Sequence, residues 1–223
     1  MTDEILPSNH PSVFGREREL RALTDEVRRL IALTVTNTAD GPETVRLTEE
    51  LARLNDQLAA QVPEPVPPRL GKDRPDHGAY DGMPYDVVTG RYNPLAIPVV
   101  ITREPPKAIG TVTFDTPYEG PPGCVHGAIL AGVFDMVLTE ANLLDDAAGP
   151  TKELKIQFRK PTRLHIETRF EAWIVGRQGR LTTAAGRALQ GDLVTLEATG
   201  VFVKLEREQV AKLMERGFGG SAS

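Results

Sequence analysis

Asp135 is the residue in this sequence whose type and position most clearly suggest chemistry. It lies in an apolar run from Gly127 to Leu144 in which the only other charged side chain is Glu140. The apolar residues of this run would point in every direction around a helix, so the helix must be buried on most sides. A carboxylate is costly to bury without a partner, and buried carboxylates often mark functional sites. Asp135 is therefore a candidate functional residue, whereas we interpret Glu140 as a solvated or structural carboxylate at the edge of the helix.

The stretch Pro121–Ala128 leads into this helix. The first N–H groups of a helix have no partner within it, and the helix dipole favours negative charge there. Glycine at position 127 permits close approach, so the Gly127 N–H could hold an oxygen that becomes negative during a reaction. His126 would shape this entrance, or it would only cap the helix. Cys124 could act as a nucleophile with His126, although a free cysteine is more often a small buried hydrophobe and no neighbouring positive charge is expected.

The N-terminal part of the chain has the apolar spacing of two amphipathic helices, separated by Gly41-Pro42. We predict a helical hairpin, which alone would bury too little apolar surface to be stable. Its apolar faces are therefore expected to dock on the rest of the protein or on another subunit. The predicted organisation is a tail at residues 1–12, the hairpin at 13–61, a proline-rich linker and irregular segment at 62–94, a main domain at 95–205, and a C-terminal helix and tail at 206–223.

Alternation of apolar and polar residues predicts strands on both sides of the central helix. Two strands precede it, at Ile97–Thr102 and Lys107–Asp115, and four follow it. Short glycine-containing turns join the later strands, so these strands must be antiparallel. The sequence therefore predicts an α+β fold, in which the buried helix fills the concave face of one antiparallel sheet.

The composition argues against several classes of partner. The 26 Lys and Arg residues against 31 Asp and Glu residues give a formal charge of −5 without a basic cluster, so nucleic acid is not an expected partner. The four histidines are far apart, and no metal-ligand spacing is found. The single cysteine rules out an internal disulfide, the N-terminus lacks a signal-peptide pattern, and the apolar run is too short and interrupted for a membrane span. We therefore expect a cytoplasmic protein.

Residues from about Pro94 to Leu205 resemble the hotdog-fold acyl-CoA thioesterases of the phenylacetate-degradation (PaaI-like) and 4-hydroxybenzoyl-CoA thioesterase group. The resemblance rests on Gly120-Pro121-Pro122-Gly123-Cys124-Val125-His126-Gly127, on Asp135 nine positions after His126, and on Thr151-x-x-Leu154-x-Ile156-x-Phe158-x-x-Pro161. Two departures are present. The family commonly has His-Gly-Gly where this chain has His126-Gly127-Ala128, and some members have an asparagine at or near Gly120. The N-terminal hairpin lies outside the resemblance.

The resemblance implies a hotdog fold and a thioester hydrolase. It implies that Asp135 acts as general base or nucleophile, and that the Gly127 amide points at the carbonyl oxygen of the thioester. His126 would orient the helix entrance, and Thr151 would help to place the attacking water.

Two further expectations concern the substrate and the assembly. Arg159 and Lys160 would reach the phosphates of CoA, or else form a solvated basic pair. We expect no metal, and no cofactor beyond the CoA of the acyl-CoA substrate. Nine residues of helix separate His126 from Asp135 by about 13 Å, too far for Gly127 and Asp135 of one chain to act on the same carbonyl. With the resemblance, this predicts a homodimer or a dimer of dimers, in which each site takes Gly127 from one subunit and Asp135 from the other.

Two other classes of protein stay open from the sequence. A non-catalytic acyl-CoA-binding or assembly protein could use the same fold, and the hairpin would offer it an interaction surface. A hotdog hydratase or dehydratase would need an Asp/His or His/Glu pair to remove a proton from carbon, and no histidine follows Asp135 on the helix.

Overall fold

The structure, a computed structural model, describes residues 12–64, 84–144, 149–205 and 209. The predicted tail up to residue 11, the linker from 65 to 83 and the predicted C-terminal helix apart from residue 209 lie outside the described residues. The chain forms, in order, α1 (Glu17–Thr36), α2 (Gly41–Ala59), β1 (Val100–Glu104), β2 (Lys107–Thr113), a short 3₁₀ helix (Thr116–Tyr118), α3 (Gly127–Leu143), β3 (Thr151–Phe158), β4 (Glu167–Gln178), β5 (Leu181–Gln190) and β6 (Leu193–Val203).

The six strands form one antiparallel sheet in the order β1-β2-β4-β5-β6-β3. This α+β arrangement confirms the predicted fold class. The first strand begins at Val100 instead of Ile97, because Ile97 and Val99 are buried in an irregular segment that precedes the strand. The strand order places β3 at one edge of the sheet, where most of its residues are exposed.

Helix α3 packs against the sheet and provides much of the core. Its residues Leu130, Val133, Phe134, Val137 and Leu138 are almost completely buried. The Phe134 ring meets the Phe170 ring of β4 edge-to-face, with 5.0 Å between the centroids. The prediction of a helix buried on most sides is therefore correct, and burial fixes the position of every polar group that α3 carries.

Helix α1 docks on the irregular segment before β1. The hydroxyl of its buried Thr24 donates to the Tyr92 carbonyl at 3.3 Å, and the Arg28 guanidinium donates to the Asn93 carbonyl at 2.9 Å. Helix α2 differs, because none of its residues is buried and only Leu51 is half-buried. Docking on the rest of the protein is thus found for α1, whereas α2 docks on none of the described residues of its own chain, and docking of α2 on another subunit stays a prediction. An amphipathic pattern predicts that one face of a helix is buried, but it does not identify the surface that buries it.

One carboxylate on the outer face of the sheet gathers three basic side chains. Glu171 of β4 is 7% exposed, and it accepts hydrogen bonds from Lys107, Arg169 and Arg187. Burial raises the pKa of Glu171, but these bonds outweigh burial and lower the pKa to about 2. The cluster ties β2, β4 and β5 together.

Candidate active site

A tight turn delivers the chain into α3. The Gly123 N–H donates to the Glu119 carboxylate at 2.6 Å, and the Gly120 N–H donates to the Cys124 carbonyl at 2.9 Å. Gly123 has a φ of +69°, a conformation that favours glycine. The His126 N–H then donates to the Tyr118 carbonyl at 2.9 Å, which closes the turn just before the helix begins.

The glycine at position 120 has a steric reason in this turn. A Cβ atom at Gly120 would lie 2.8 Å from the Cα atom of His126, closer than real side-chain contacts come. An asparagine could not stand at this position without moving the backbone of His126. Close packing of Gly120 against His126 therefore explains why this chain has glycine, and not asparagine, at position 120.

His126 is the N-cap residue of α3. Its Nδ1 atom accepts a hydrogen bond from the Ala128 N–H at 3.1 Å, and the ring is exposed. Because Nδ1 acts as an acceptor, the neutral ring carries its proton on Nε2. The His126 side chain thus caps the helix, which is one of the two roles considered from the sequence. Its Nε2–H donor stays exposed at the helix entrance.

Gly127 is the first residue of α3, and its N–H has no hydrogen-bond partner among the described residues. The Phe158 ring at the end of β3 lies over it, since a Cβ atom at Gly127 would be only 3.1 Å from Cζ of that ring. Phe158 is itself 60% exposed. The entrance therefore combines a free backbone donor, the positive end of a helix dipole and an exposed aromatic ring.

Asp135 and Thr151, both expected to act on the attacking water, lie in direct contact. Asp135 is half-buried on α3, and the Thr151 hydroxyl donates to its Oδ1 atom at 2.6 Å. No other hydrogen bond to this carboxylate is formed by the described residues. The second carboxylate oxygen is thus available to a water molecule or a ligand.

A β-bulge aims Thr151 at Asp135. Thr151 pairs with Phe202 of β6 and Glu153 pairs with Val201, so Lys152 is an extra residue in β3. Phe202 is fully buried on the side of the sheet that faces α3, and directly paired residues share one face. Without the bulge, Thr151 would lie on the opposite face from Leu154, Ile156 and Phe158, because strand side chains alternate. The strand therefore contacts α3 at two points, through Thr151 at Asp135 and through Phe158 at Gly127.

The two contact points are separate within one chain. Gly127 and Asp135 are eight positions apart on α3, which corresponds to about 12 Å along the helix axis. The described residues of one chain therefore do not bring the free amide and the carboxylate to the same atom. The separation of Gly127 and Asp135 therefore still supports the prediction that each site uses two chains.

Arg159 and Lys160 come directly after Phe158 and are both exposed. The Arg159 guanidinium pairs with Glu197 of β6, with 2.8 Å between Nε and the carboxylate. Its charge is therefore partly neutralised. Lys160 forms no ion pair among the described residues and is the more available cation near the entrance.

Two other sequence interpretations need correction. The Cys124 sulfur lies 3.8 Å from the Arg163 guanidinium, although no nearby positive charge was expected. It forms no hydrogen bond to His126 among the described residues, and Nδ1 of His126 is already used in the cap. Glu140 is not at a solvated edge, since it is 2% exposed and accepts from Arg103 at 2.8 Å. Burial raises the pKa of Glu140, and Arg103 opposes that shift in part.

The described residues contain neither a metal-binding cluster nor a membrane-spanning helix. No group of three or more His, Cys, Asp or Glu side chains within the described ranges is placed to hold a metal ion. None of the helices formed by these residues has both the length and the apolar character needed to cross a membrane.

An antiparallel sheet curved around one buried helix, with the helix entrance and a mid-helix carboxylate both touching the edge strand, defines a hotdog-fold protein. No protein-family model and no curated protein matches the chain. The chain is similar to a crystal structure of a thioesterase superfamily protein, with 29% sequence identity, a TM-score of 0.73, and coverage of 89% of this chain and 97% of that chain. This match confirms the resemblance to the hotdog thioesterases. It also extends beyond residues 95–205, so the similarity to this one structure includes part of the N-terminal region.

Two more solved structures match about half of the chain. Thioesterase superfamily member 2 from Mus musculus has 17% identity and a TM-score of 0.44, with coverage of 47% of this chain and 86% of that chain. A putative thioesterase from Ralstonia eutropha JMP134, described as related to phenylacetic acid degradation, has 19% identity and a TM-score of 0.44, with coverage of 48% and 85%.

Proposed function

We propose that this protein is an acyl-CoA thioesterase. The observation that carries the proposal is the 2.6 Å hydrogen bond from Thr151 to Asp135, which orients a half-buried carboxylate and leaves one of its oxygens open. A carboxylate held in this way can take a proton from water, or attack a carbonyl carbon itself. The match to a thioesterase superfamily structure supports this assignment.

The proposed reaction is hydrolysis of the thioester. Water attacks the carbonyl carbon while its proton passes to Asp135, and the carbonyl oxygen becomes an oxyanion held by the Gly127 N–H. The carbon–sulfur bond then breaks, and the thiolate of CoA leaves and receives the proton from Asp135. If Asp135 attacks instead, an anhydride with its carboxylate forms and water hydrolyses it in a second step. No cofactor beyond the CoA of the substrate takes part.

The two halves of the site come from two chains in this proposal. Gly127 and Asp135 of one chain are too far apart to act on one carbonyl, whereas a two-fold dimer would give two equivalent sites. A mixing experiment tests this arrangement. Gly127→Pro removes the amide proton and Asp135→Asn removes the base. A hybrid dimer of the two variants would contain one site with both defects and one with neither.

Equal mixing of the two inactive variants, with dissociation and reassociation, should therefore restore about a quarter of wild-type activity, because half of the dimers are hybrids with one intact site each. Each variant treated alone in the same way is the control. If activity stays at the level of the single variants although hybrids form, both groups act within one chain.

Lys160 is our candidate for contact with the phosphates of CoA, with Arg159 as a weaker contributor because of its pairing with Glu197. Lys160→Ala should raise KM for acyl-CoA and leave kcat nearly unchanged, since the contact lies far from the reacting bond. An acyl pantetheine substrate, which lacks these phosphates, should not distinguish the variant from the wild type.

The decisive assay is thiol release from a panel of aliphatic and aromatic acyl-CoA substrates, with Asp135→Asn as the negative control. Release by the wild type and its loss in the variant would support an enzyme. Tight binding of acyl-CoA without thiol release from any member of the panel would favour a non-catalytic acyl-CoA-binding protein.

A further inference from the structure

Helix α2 carries a leucine stripe that the described residues of its own chain leave uncovered. Leu47, Leu54 and Leu58 are 39%, 48% and 40% exposed, and Leu51 between them is half-buried. The intervals from Leu47 to Leu58 are four, three and four residues. This spacing is the seam of a helix that packs along a partner helix.

The stripe needs a partner because α2 is otherwise poorly supported. Asp40 caps its N-terminus by accepting from the Glu43 N–H at 2.9 Å, and Arg46 pairs with Glu43 and Glu50 along its surface. These local contacts are exposed and contribute little. Most of the stability of a helix in a protein comes from packing of its apolar face, and no residue of α2 is buried.

Helix α1 has an uncovered stripe of its own. Leu23, Leu30 and Leu33 are 42%, 37% and 51% exposed, and they lie beside the face that docks through Thr24 and Arg28. The stripe of α1 spans 11 residues from Leu23 to Leu33, against 12 from Leu47 to Leu58 in α2, so the two stripes have nearly the same length. One chain thus presents two apolar stripes of matching size that do not bury each other.

We propose that α2 of one copy of this chain packs along the exposed stripe of α1 in a second copy, and that the second copy reciprocates. A two-fold arrangement of this kind covers all four stripes at once. Each stripe is about 15–17 Å long and about 10 Å wide, so the four stripes together bury roughly 650 Å². That area is below the roughly 1,000 Å² of a stable interface, so on its own this contact would form a weak dimer.

Charge favours α1 over α2 as the surface that receives α2. Helix α1 is electrically balanced, with four acidic and four basic residues. Helix α2 has a formal charge of −2, from Glu43, Glu49, Glu50 and Asp56 against Arg46 and Arg53. Pairing of α2 with α2 would bring two negative helices together. Helix α1 instead offers Arg29 beside Leu30 and Leu33, 70% exposed and held only by a 3.4 Å surface pair with Glu26.

Crosslinking between differently tagged chains tests the inference in the full-length protein. In a Cys124→Ser background, chains with Leu30→Cys and chains with Leu54→Cys are mixed, allowed to exchange and treated with a short bifunctional maleimide. We expect a crosslinked product that contains one chain of each tag. Glu49→Cys, on the polar side of α2, is the matched control and should give no such product with Leu30→Cys.

The double variant Leu30→Cys/Leu54→Cys distinguishes the alternatives. A crosslink confined to single chains would overturn the inference and show that α2 closes on its own α1. If neither the crosslink between chains nor the crosslink within a chain forms, the inference is also overturned. A different protein would then be the candidate to cover the stripes.

A second measurement uses light scattering on the assembled protein. Leu47→Glu/Leu54→Glu should lower the molar mass, or raise the concentration at which the assembly dissociates by at least tenfold. Ala52→Glu/Ala59→Glu adds the same charges away from the seam and should leave both unchanged. Equal behaviour of the two variants, with equal crosslinking, would contradict the inference. The thiol-release assay takes no part, so the result does not depend on the proposed activity.

Discussion

Replacement of Gly127 by proline tests the proposed oxyanion donor more directly than removal of any side chain. Gly127 is the first residue of α3, and its N–H makes no hydrogen bond within the helix. Proline lacks this N–H and is well tolerated at the first helical position. His126 has φ −65° and ψ 136°, the extended conformation that a residue before proline prefers. The substitution therefore deletes one donor and leaves the helix intact.

The size of the effect follows from what is lost. Removal of one oxyanion-hole donor lowers kcat by about 10²–10³-fold, or about 2.7–4 kcal/mol of transition-state stabilisation. The free energy of unfolding should change by no more than about 1 kcal/mol, because no hydrogen bond of the folded protein is broken. We expect KM to change little, since the developing negative charge exists mainly in the transition state.

Gly127→Ala is the matched control. Both substitutions add a Cβ atom, which would lie 3.1 Å from the Phe158 ring, so both require that exposed ring to move slightly. Only proline also removes the N–H. The measurements are kcat and KM on the best acyl-CoA of the panel, the melting temperature and the molar mass. A folded Gly127→Pro protein with kcat within about threefold of Gly127→Ala would refute the oxyanion role, and equal large losses in both would point to the packing of Phe158.

Three other predictions concern carboxylates and their partners. Asp135→Asn should lower kcat by about 10²–10⁴-fold with little change in melting temperature. Glu140→Gln, the same chemical change on the same helix, is the control and should leave kcat within a few-fold of the wild type. A stable Asp135→Asn protein with nearly wild-type kcat would show that Asp135 takes no part in the mechanism. Thr151→Val should lower kcat by about tenfold or more, because a hydrogen bond to a charged group is lost. Thr151→Ser keeps the hydroxyl and should retain most of the wild-type kcat. Equal kcat values in the two variants would show that the hydroxyl is not needed. The pKa of Glu171 is lowered from 4.5 to about 2, so its contribution to stability is present above pH 4.5 and disappears as the pH falls toward 2. Glu171→Gln should lower the free energy of unfolding at pH 7 by about 1–3 kcal/mol, and urea titrations should show this difference from the wild type shrinking between pH 4.5 and 3; a difference independent of pH would contradict the assignment.

The fold was accessible from the sequence because its strongest patterns are local. The run from Gly127 to Leu144 is apolar in every helical direction, and only a helix enclosed by a sheet satisfies that pattern. Glycine-containing turns between the later strands left antiparallel pairing as the consistent arrangement. The edges of elements were less well determined, as at β1, because burial of Ile97 and Val99 does not require strand pairing.

The candidate site was accessible only in part. A role for Thr151 in placing the attacking water was expected from the resemblance. Its hydrogen bond to Asp135 was not, because the bulge that makes this bond possible leaves no mark in the alternation of β3. The partners of Glu140 and Cys124 could not be foreseen, because Arg103 and Arg163 lie 37 and 39 residues away in the sequence. The place of Phe158 over Gly127 was missed for the same reason, although an aromatic residue at the end of an apolar strand face was a usable signal.

The bulge at Lys152 means that the pairing register of β3 decides whether Thr151 meets Asp135. Lys152 is exposed, so its replacement by most other residues should be tolerated. Deletion of the same residue would remove the bulge but keep the pairs Thr151–Phe202 and Glu153–Val201, so Thr151 should still face Asp135. The contact is lost instead when Lys152 is present and the strand pairs without the bulge, because Thr151 then turns to the outer face. A change in how one edge strand pairs can therefore separate Thr151 from Asp135, with every proposed functional side chain still present in the sequence.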